Sequence, residues 1–226
     1  MKRVITVLLA VLLVLSLAAC GSRVETKKLA GTWTCTVDAT DRMNAAAEQA
    51  LGLSAADGTA QMPLQLVLTV TEDGAYTLRY DSDAVRTALD AYAAALHPAA
   101  VESVYAAAEE QGLSREEYDA AMEKAGITMD DMVAAIFAGV DEEELLSLLT
   151  GRSAAITGYC RAESGQLYLA DTAADLTETA DCLSYTLSDG IMTWTDAQGE
   201  LSSQLTEEEQ ELLRVPLTWT KQEESK

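Results

Sequence analysis

The stretch from Leu64 to Tyr80 is the most constraining part of this sequence. Leu64, Leu66, Leu68 and Val70 recur at every second position, and Tyr76, Leu78 and Tyr80 do the same a few residues on. A period of two places each set on one face of a β-strand. The loop between them decides whether the faces agree. If Asp73-Gly74 alone made the turn, Val70 would oppose Thr77 and the apolar faces would point apart. A three-residue loop, Glu72-Asp73-Gly74 with Gly74 left-handed, sets Val70 against Tyr76 and Leu68 against Leu78. The result is a hairpin with one apolar face, which must be buried against more sheet.

The remaining strand signals supply that sheet. Trp33, Cys35 and Val37 alternate with Thr32, Thr34 and Thr36, as in a half-buried strand. A short helix is expected over Asp41 to Leu51, then a polar stretch to Met62-Pro63. Further on, Ile156 to Glu163 and Gln166 to Asp171 flank a Ser164-Gly165 turn. Leu183, Tyr185 and Leu187 lead through Asp189-Gly190 into Met192 and Trp194, with Leu187 opposite Met192 and Tyr185 opposite Trp194. A capped segment at Thr206 to Leu213 reads as a one- or two-turn helix, and Pro216 to Lys221 as the last strand. These make eight strands in hairpin order, the number at which an up-and-down barrel closes and leaves room for side chains or one small ligand.

Between the third and fourth strands the period becomes helical for about seventy residues. Ser82 to His97 and Ala99 to Gln111 read as two helices parted at Pro98. Ser114-Arg115-Glu116-Glu117 has the reciprocal capping-box form that opens a third, closed at Gly126. Thr128 with Asp131, and Asp141 with Glu144, repeat the start signal, with Gly139 and Gly151 as stops. Five short helices are expected, so the fold class is α+β: an eight-stranded antiparallel up-and-down barrel with an all-helical insertion.

The amino terminus carries different information. Lys2 and Arg3 precede an apolar run from Val4 to Ala19, followed by Leu17-Ala18-Ala19-Cys20-Gly21. This is the charged, apolar and small-residue order of a signal peptide, and a run of roughly 16 residues falls short of the ~20 a spanning helix needs. Leu17-Ala18-Ala19-Cys20 resembles the lipobox of bacterial lipoproteins. That resemblance implies cleavage before Cys20, acylation of its thiol, and residence on the extracytoplasmic face of the cell membrane, where two or more acyl chains hold a protein stably. The expected division is a signal peptide over 1–19, a tether over 20–28, the barrel over 29–81 and 155–222, and the helical insertion over 82–154.

Removal of residues 1–19 takes away two basic residues and no acidic one, so 13 Lys and Arg face 37 Asp and Glu, a formal charge of -24. Nucleic acid and anionic lipid headgroups both repel such a chain. Besides Cys20, three cysteines remain, Cys35, Cys160 and Cys182, and an odd number cannot all pair within one chain. The one histidine, His97, stands before Pro98 and is read as complementing a helix dipole.

Two short motifs carry a further resemblance. Gly31-Thr32-Trp33 opens the first strand, and Lys221 follows Trp219 in the last. With Glu72-Asp73-Gly74-Ala75-Tyr76, they make the chain similar to uncharacterised lipoproteins of Firmicutes with a lipocalin-like, calycin-type barrel. The resemblance implies a basic residue packed on the first-strand tryptophan and a barrel able to hold a small apolar ligand. The chain departs from lipocalins proper in placing its helices between strands three and four.

Trp33, Tyr76, Tyr80 and Trp194 are the candidate ligand-lining residues, together with Trp219; the same side chains also serve as plain core. The acidic groups Asp81-Ser82-Asp83, Asp130-Asp131 and Asp141 to Glu144 lack calcium-loop spacing and sit at expected helix starts, so they read as caps, and no metal site or cofactor is expected. No catalytic residue stands out, since His97 has no evident partner and acidic pairs carry little information in so acidic a chain; an enzyme is not expected. The expected partners are the membrane, through the lipid, and a small apolar ligand. The alternative is a protein partner on the insertion, where Met122, Ile127, Met129, Met132, Val133, Ile136 and Phe137 form either a methionine-rich groove or the insertion's own core.

Overall fold

The computed structural model describes residues 25–53, 60–137, 142–151, 155–177, 181–198 and 205–223. The signal segment and Cys20 lie outside them, as do Gly139 and Asp141.

Eight strands, β1 (Gly31–Asp38), β2 (Pro63–Val70), β3 (Ala75–Tyr80), β4 (Ile156–Glu163), β5 (Gln166–Ala170), β6 (Asp181–Ser188), β7 (Ile191–Gln198) and β8 (Leu217–Lys221), form a closed antiparallel barrel in chain order. The β2–β3 register is the one required by the apolar faces: Val70 pairs with Tyr76 and Leu68 with Leu78, and Gly74 sits at φ 88°. In the β6–β7 hairpin Leu187 pairs with Met192 and Tyr185 with Trp194. Asp189 (φ 49°) and Gly190 (φ 76°) both take the left-handed backbone that a two-residue hairpin turn needs. The pairing then slips by one between Ser184 and Tyr185, which leaves Thr195 as an extra residue in β7, its hydroxyl donating to the Ser184 carbonyl at 3.3 Å. This bulge was not visible in the alternation, because it flips the facing of β7 only beyond Trp194.

Seven helices accompany the barrel among the described residues. The first, α1 (Thr26–Leu29), takes up the last three residues of the segment expected as tether and forms the barrel's floor. Glu25 N–H donates to the Ala162 carbonyl at 2.7 Å, Ala162 N–H donates to Thr26 Oγ1 at 3.0 Å, and Leu29 is 1% exposed. Trp33 rests on this floor, its indole N–H donating to the Leu29 carbonyl at 2.7 Å. The helix α2 (Thr40–Leu51) joins β1 to β2.

Among the described residues four helices, not five, lie between β3 and β4: α3 (Ser82–Glu110), α4 (Arg115–Ala125), α5 (Met129–Phe137) and α6 (Glu142–Thr150). The expected break at Pro98 is absent, and the two helices are one of 29 residues. Pro98 removes a backbone donor and crowds the preceding turn, worth ~3 kcal/mol against the helix. Against that, Val85, Ala88, Tyr92, Leu96 and Ala100 form a continuous buried stripe that passes straight through position 98, and burying side chains of this kind stabilises by about 1.5–3 kcal/mol each for the large ones. Periodicity outweighs punctuation here. His97 is consequently inside the helix, not at its end, and its Nε2 lies 3.0 Å from Asp130 Oδ1 on α5.

The capping signals at Asp81, Ser114 and Thr128 are realised as read, whereas the pair Asp141 and Glu144 lies partly outside the described residues. Asp81 accepts from Ala84 N–H at 3.0 Å; Ser114 and Glu117 form a reciprocal capping box, and Asp131 Oδ2 accepts from Thr128 N–H at 2.9 Å. The first half of α3 packs with α2, where Tyr92 donates to Asn44 Oδ1 at 2.7 Å. Farther along, Ala100, Val133 and Leu53 make a small second core with Val101 and Met129 against it. Val133 and Met129 therefore belong to the insertion's interior, whereas Ile127 is exposed and Met122 half-buried. The side chains of Ile136 and Phe137 lie outside the described set.

The last helix, α7 (Glu207–Leu212), crosses the end of the barrel opposite α1. Thr206 caps it and donates its hydroxyl to the Thr150 carbonyl of α6, and Glu211 Oε2 meets Arg42 of α2 at 3.3 Å. The barrel mouth is thus covered by a short helix tied to α2 and α6.

Candidate ligand site

Inward-facing residues do not fill the barrel. A cavity of about 430 Å³ extends from Leu29 on the floor to Leu213, Arg214 and Val215 beside α7. Its wall is almost wholly apolar, drawn from β2 (Leu68, Val70), β3 (Tyr76, Leu78), β4 (Ile156, Cys160), β5 (Leu167, Leu169) and β7 (Met192, Trp194). The alternation of each strand puts these residues inside, since neighbours along the strand point out. The volume falls within the range of small-molecule sites.

The sequence-derived candidates separate on this geometry. Tyr76 and Trp194 line the cavity; Trp33, fully buried, packs under it at the floor; Tyr80 lines a second cavity of about 210 Å³ above it, beside Glu209 and Leu213. Trp219 stacks behind Trp194, ring centroids 4.8 Å apart with planes at 47°. Neither of these two buried indole N–H groups has an acceptor. An unmade bond of this kind costs about 1–3 kcal/mol, a cost that well-packed apolar filling would avoid.

Polar atoms at the wall are held neutral. Burial pushes the Cys160 thiol up to about 12, and burial, followed by the nearby Cys160 and Asp171, pushes the Tyr76 phenol up to about 12. The Tyr185 phenol also rises to about 12, through burial first and then the Glu25 carboxylate, whose Oε2 accepts from its hydroxyl at 3.4 Å. Cys160 is therefore a protonated wall residue and a poor nucleophile, because the thiolate is the reactive form. Cys35, Cys160 and Cys182 form no disulfide with one another.

Sequence reasoning missed Cys160 and Leu213. The first is legible, since Cys160 and Ala162 share the inner face of β4, although a cysteine count speaks only to disulfide pairing. The second carries no strand signal at all; its role follows from where α7 lands.

These features define a class: a closed eight-stranded up-and-down barrel with one end plugged, the other covered by a helix, and an apolar chamber between. Compared with protein-family models, curated proteins and solved structures, the chain matches none.

Proposed function

We propose that this protein is a lipid-anchored extracytoplasmic lipoprotein that binds a small apolar ligand inside a lipocalin-like barrel. The observation that carries the reading is the 430 Å³ chamber, which is apolar, bounded by α1 below and α7 above, and lined by Tyr76 and Trp194. Proteins of this size ordinarily pack their interiors to near-crystalline density. An unfilled chamber of this volume inside otherwise close-packed strands is the form a ligand site takes. Lys221 Nζ, 5.3 Å from the Trp33 ring centroid, supports the lipocalin-like part of the reading, since the resemblance called for a basic residue on that tryptophan.

Native mass spectrometry of the protein purified from its own host tests the binding. A co-purifying small molecule, released on unfolding, is the expected result; repeated isolation of the bare polypeptide contradicts it. Location rests on Leu17-Ala18-Ala19-Cys20. Cys20→Ser should move the protein from the membrane to the surrounding fluid, and unchanged membrane association would overturn the anchor.

A second reading, a scaffold acting through the insertion, is favoured by one feature. The helix α4 buries none of its residues and is held to α3 by polar contacts, Arg115 reaching Glu102 at 2.7 Å and lying 4.7 Å over the Tyr105 ring. Its outer face is open to a protein partner.

A further inference from the structure

The two cavities share a wall. Leu78, Ile156 and Leu213 face both the barrel chamber and the smaller one above it, so three aliphatic side chains part them. Their linings differ in kind. Below, apart from Gln210 and Arg214 beside α7, are hydrocarbon and aromatic surfaces, whereas above them the lining gains Arg79, Tyr80, Ser82 and Glu209. We propose, building on the ligand-binding reading of the barrel, that the two chambers are halves of one site for a single-chain amphiphile with a neutral polyhydroxyl head: the chain lies in the barrel, and the head passes Leu213 into the upper chamber.

The head's chemistry follows from what the upper walls offer. A guanidinium only donates, an ionised carboxylate only accepts, and the hydroxyls of Tyr80 and Ser82 do either. A polyol head does both several times over and carries no charge. An anionic head would set its oxygens against those of Glu209, and a cationic head would be set against Arg79. Glu209 is 1% exposed and is fixed by accepting from Thr206 N–H at 3.0 Å, so its place in the wall is set before any ligand arrives. The neck is positioned by the same helix. Leu213 is the residue closing α7, whose start is tied to Thr150 and whose Glu211 is tied to Arg42.

The test compares three amphiphiles with one ten-carbon chain, 1-monodecanoylglycerol, decanoate and decyltrimethylammonium, each below its micellar concentration. Each displaces the neutral dye 1-N-phenylnaphthylamine from the Cys20→Ser protein, which keeps residues 20–226. The monoacylglycerol should displace at a concentration about three- to tenfold lower than the other two, the range given by one net hydrogen bond. Leu213→Trp narrows the neck and should erase that preference, each displacement being read against the variant's own affinity for the dye. Tyr80→Phe, a change too small to threaten the fold, should reduce the preference, again read against the variant's own affinity for the dye. An equal or better showing by either charged amphiphile, or a preference that survives Leu213→Trp, overturns the proposal. If the dye itself does not bind, the ligand-binding reading fails with it; if the dye binds and the heads are not distinguished, only the bipartite site fails.

Discussion

Trp33 and Lys221 face each other across the seam where β1 meets β8, the ammonium 5.3 Å from the indole centroid. This pair closes the barrel. Gly31, at φ 125°, lets the chain come in beneath it: a Cβ there would lie 2.8 Å from Lys221 Cε. Trp33→Ala should lower unfolding free energy by about 3–5 kcal/mol, the range for deleting a buried large aromatic. Lys221→Gln should cost only about 0.5–1 kcal/mol, as for an exposed cation–π contact. Urea unfolding followed by circular dichroism measures both, and equal losses would contradict the assignment of Trp33 as the packing element.

Pro98 lies inside α3 and is tolerated because the buried stripe from Val85 to Ala100 runs through it. Pro98→Ala should therefore stabilise the protein, by about 1–3 kcal/mol, by restoring a helical donor and relieving the clash. Helical signal should stay the same or rise slightly. A neutral or destabilising effect would mean that the helix breaks at this position after all.

The raised Cys160 thiol gives a pH dependence of definite sign. The native state keeps the proton up to about 12, whereas the unfolded chain loses it near the ordinary thiol value of 9.0. Stability from this group is complete below pH 9 and is lost as pH rises towards 12, at up to about 1.4 kcal/mol per pH unit. Tyr76 adds a loss of the same sign from about pH 10. Melting temperature should fall across this window, and Cys160→Ala should shrink the portion that starts near pH 9, the remainder coming from the Cys35 thiol, which burial also raises. An alkaline limb unchanged in that variant would show that Cys160 is not the titrating group.

Much of this fold was legible because its strands obey simple parity. The facing of Leu68 and Leu78 dictated the Glu72-Asp73-Gly74 loop, and that loop dictated the register. Asp189-Gly190 did the same for Tyr185 and Trp194. What stayed hidden depends on distant chain segments. The floor helix at Thr26–Leu29 is four residues long, too short for any periodicity to appear, and owes its existence to Ala162 and Trp33. For the same reason Trp33 was expected at a cavity wall: nothing in its own neighbourhood reveals that Leu29 separates it from the chamber. Tyr76 and Trp194 were found because facing alone decides their place. Pro98 was misread by giving a local rule precedence over a stripe that continued on both sides of it.

The proposed binding stands or falls with the apolar chamber inside the barrel. Titration of 1-N-phenylnaphthylamine into the Cys20→Ser protein tests this directly, with Leu169→Trp as the control that fills space at the β5 wall. One dye should bind per chain with blue-shifted emission, and the substitution should weaken it by at least about tenfold, since added bulk in a fitted interior costs about 1–3 kcal/mol. Absence of saturable binding, or identical affinity in the variant, would contradict the chamber as the binding site.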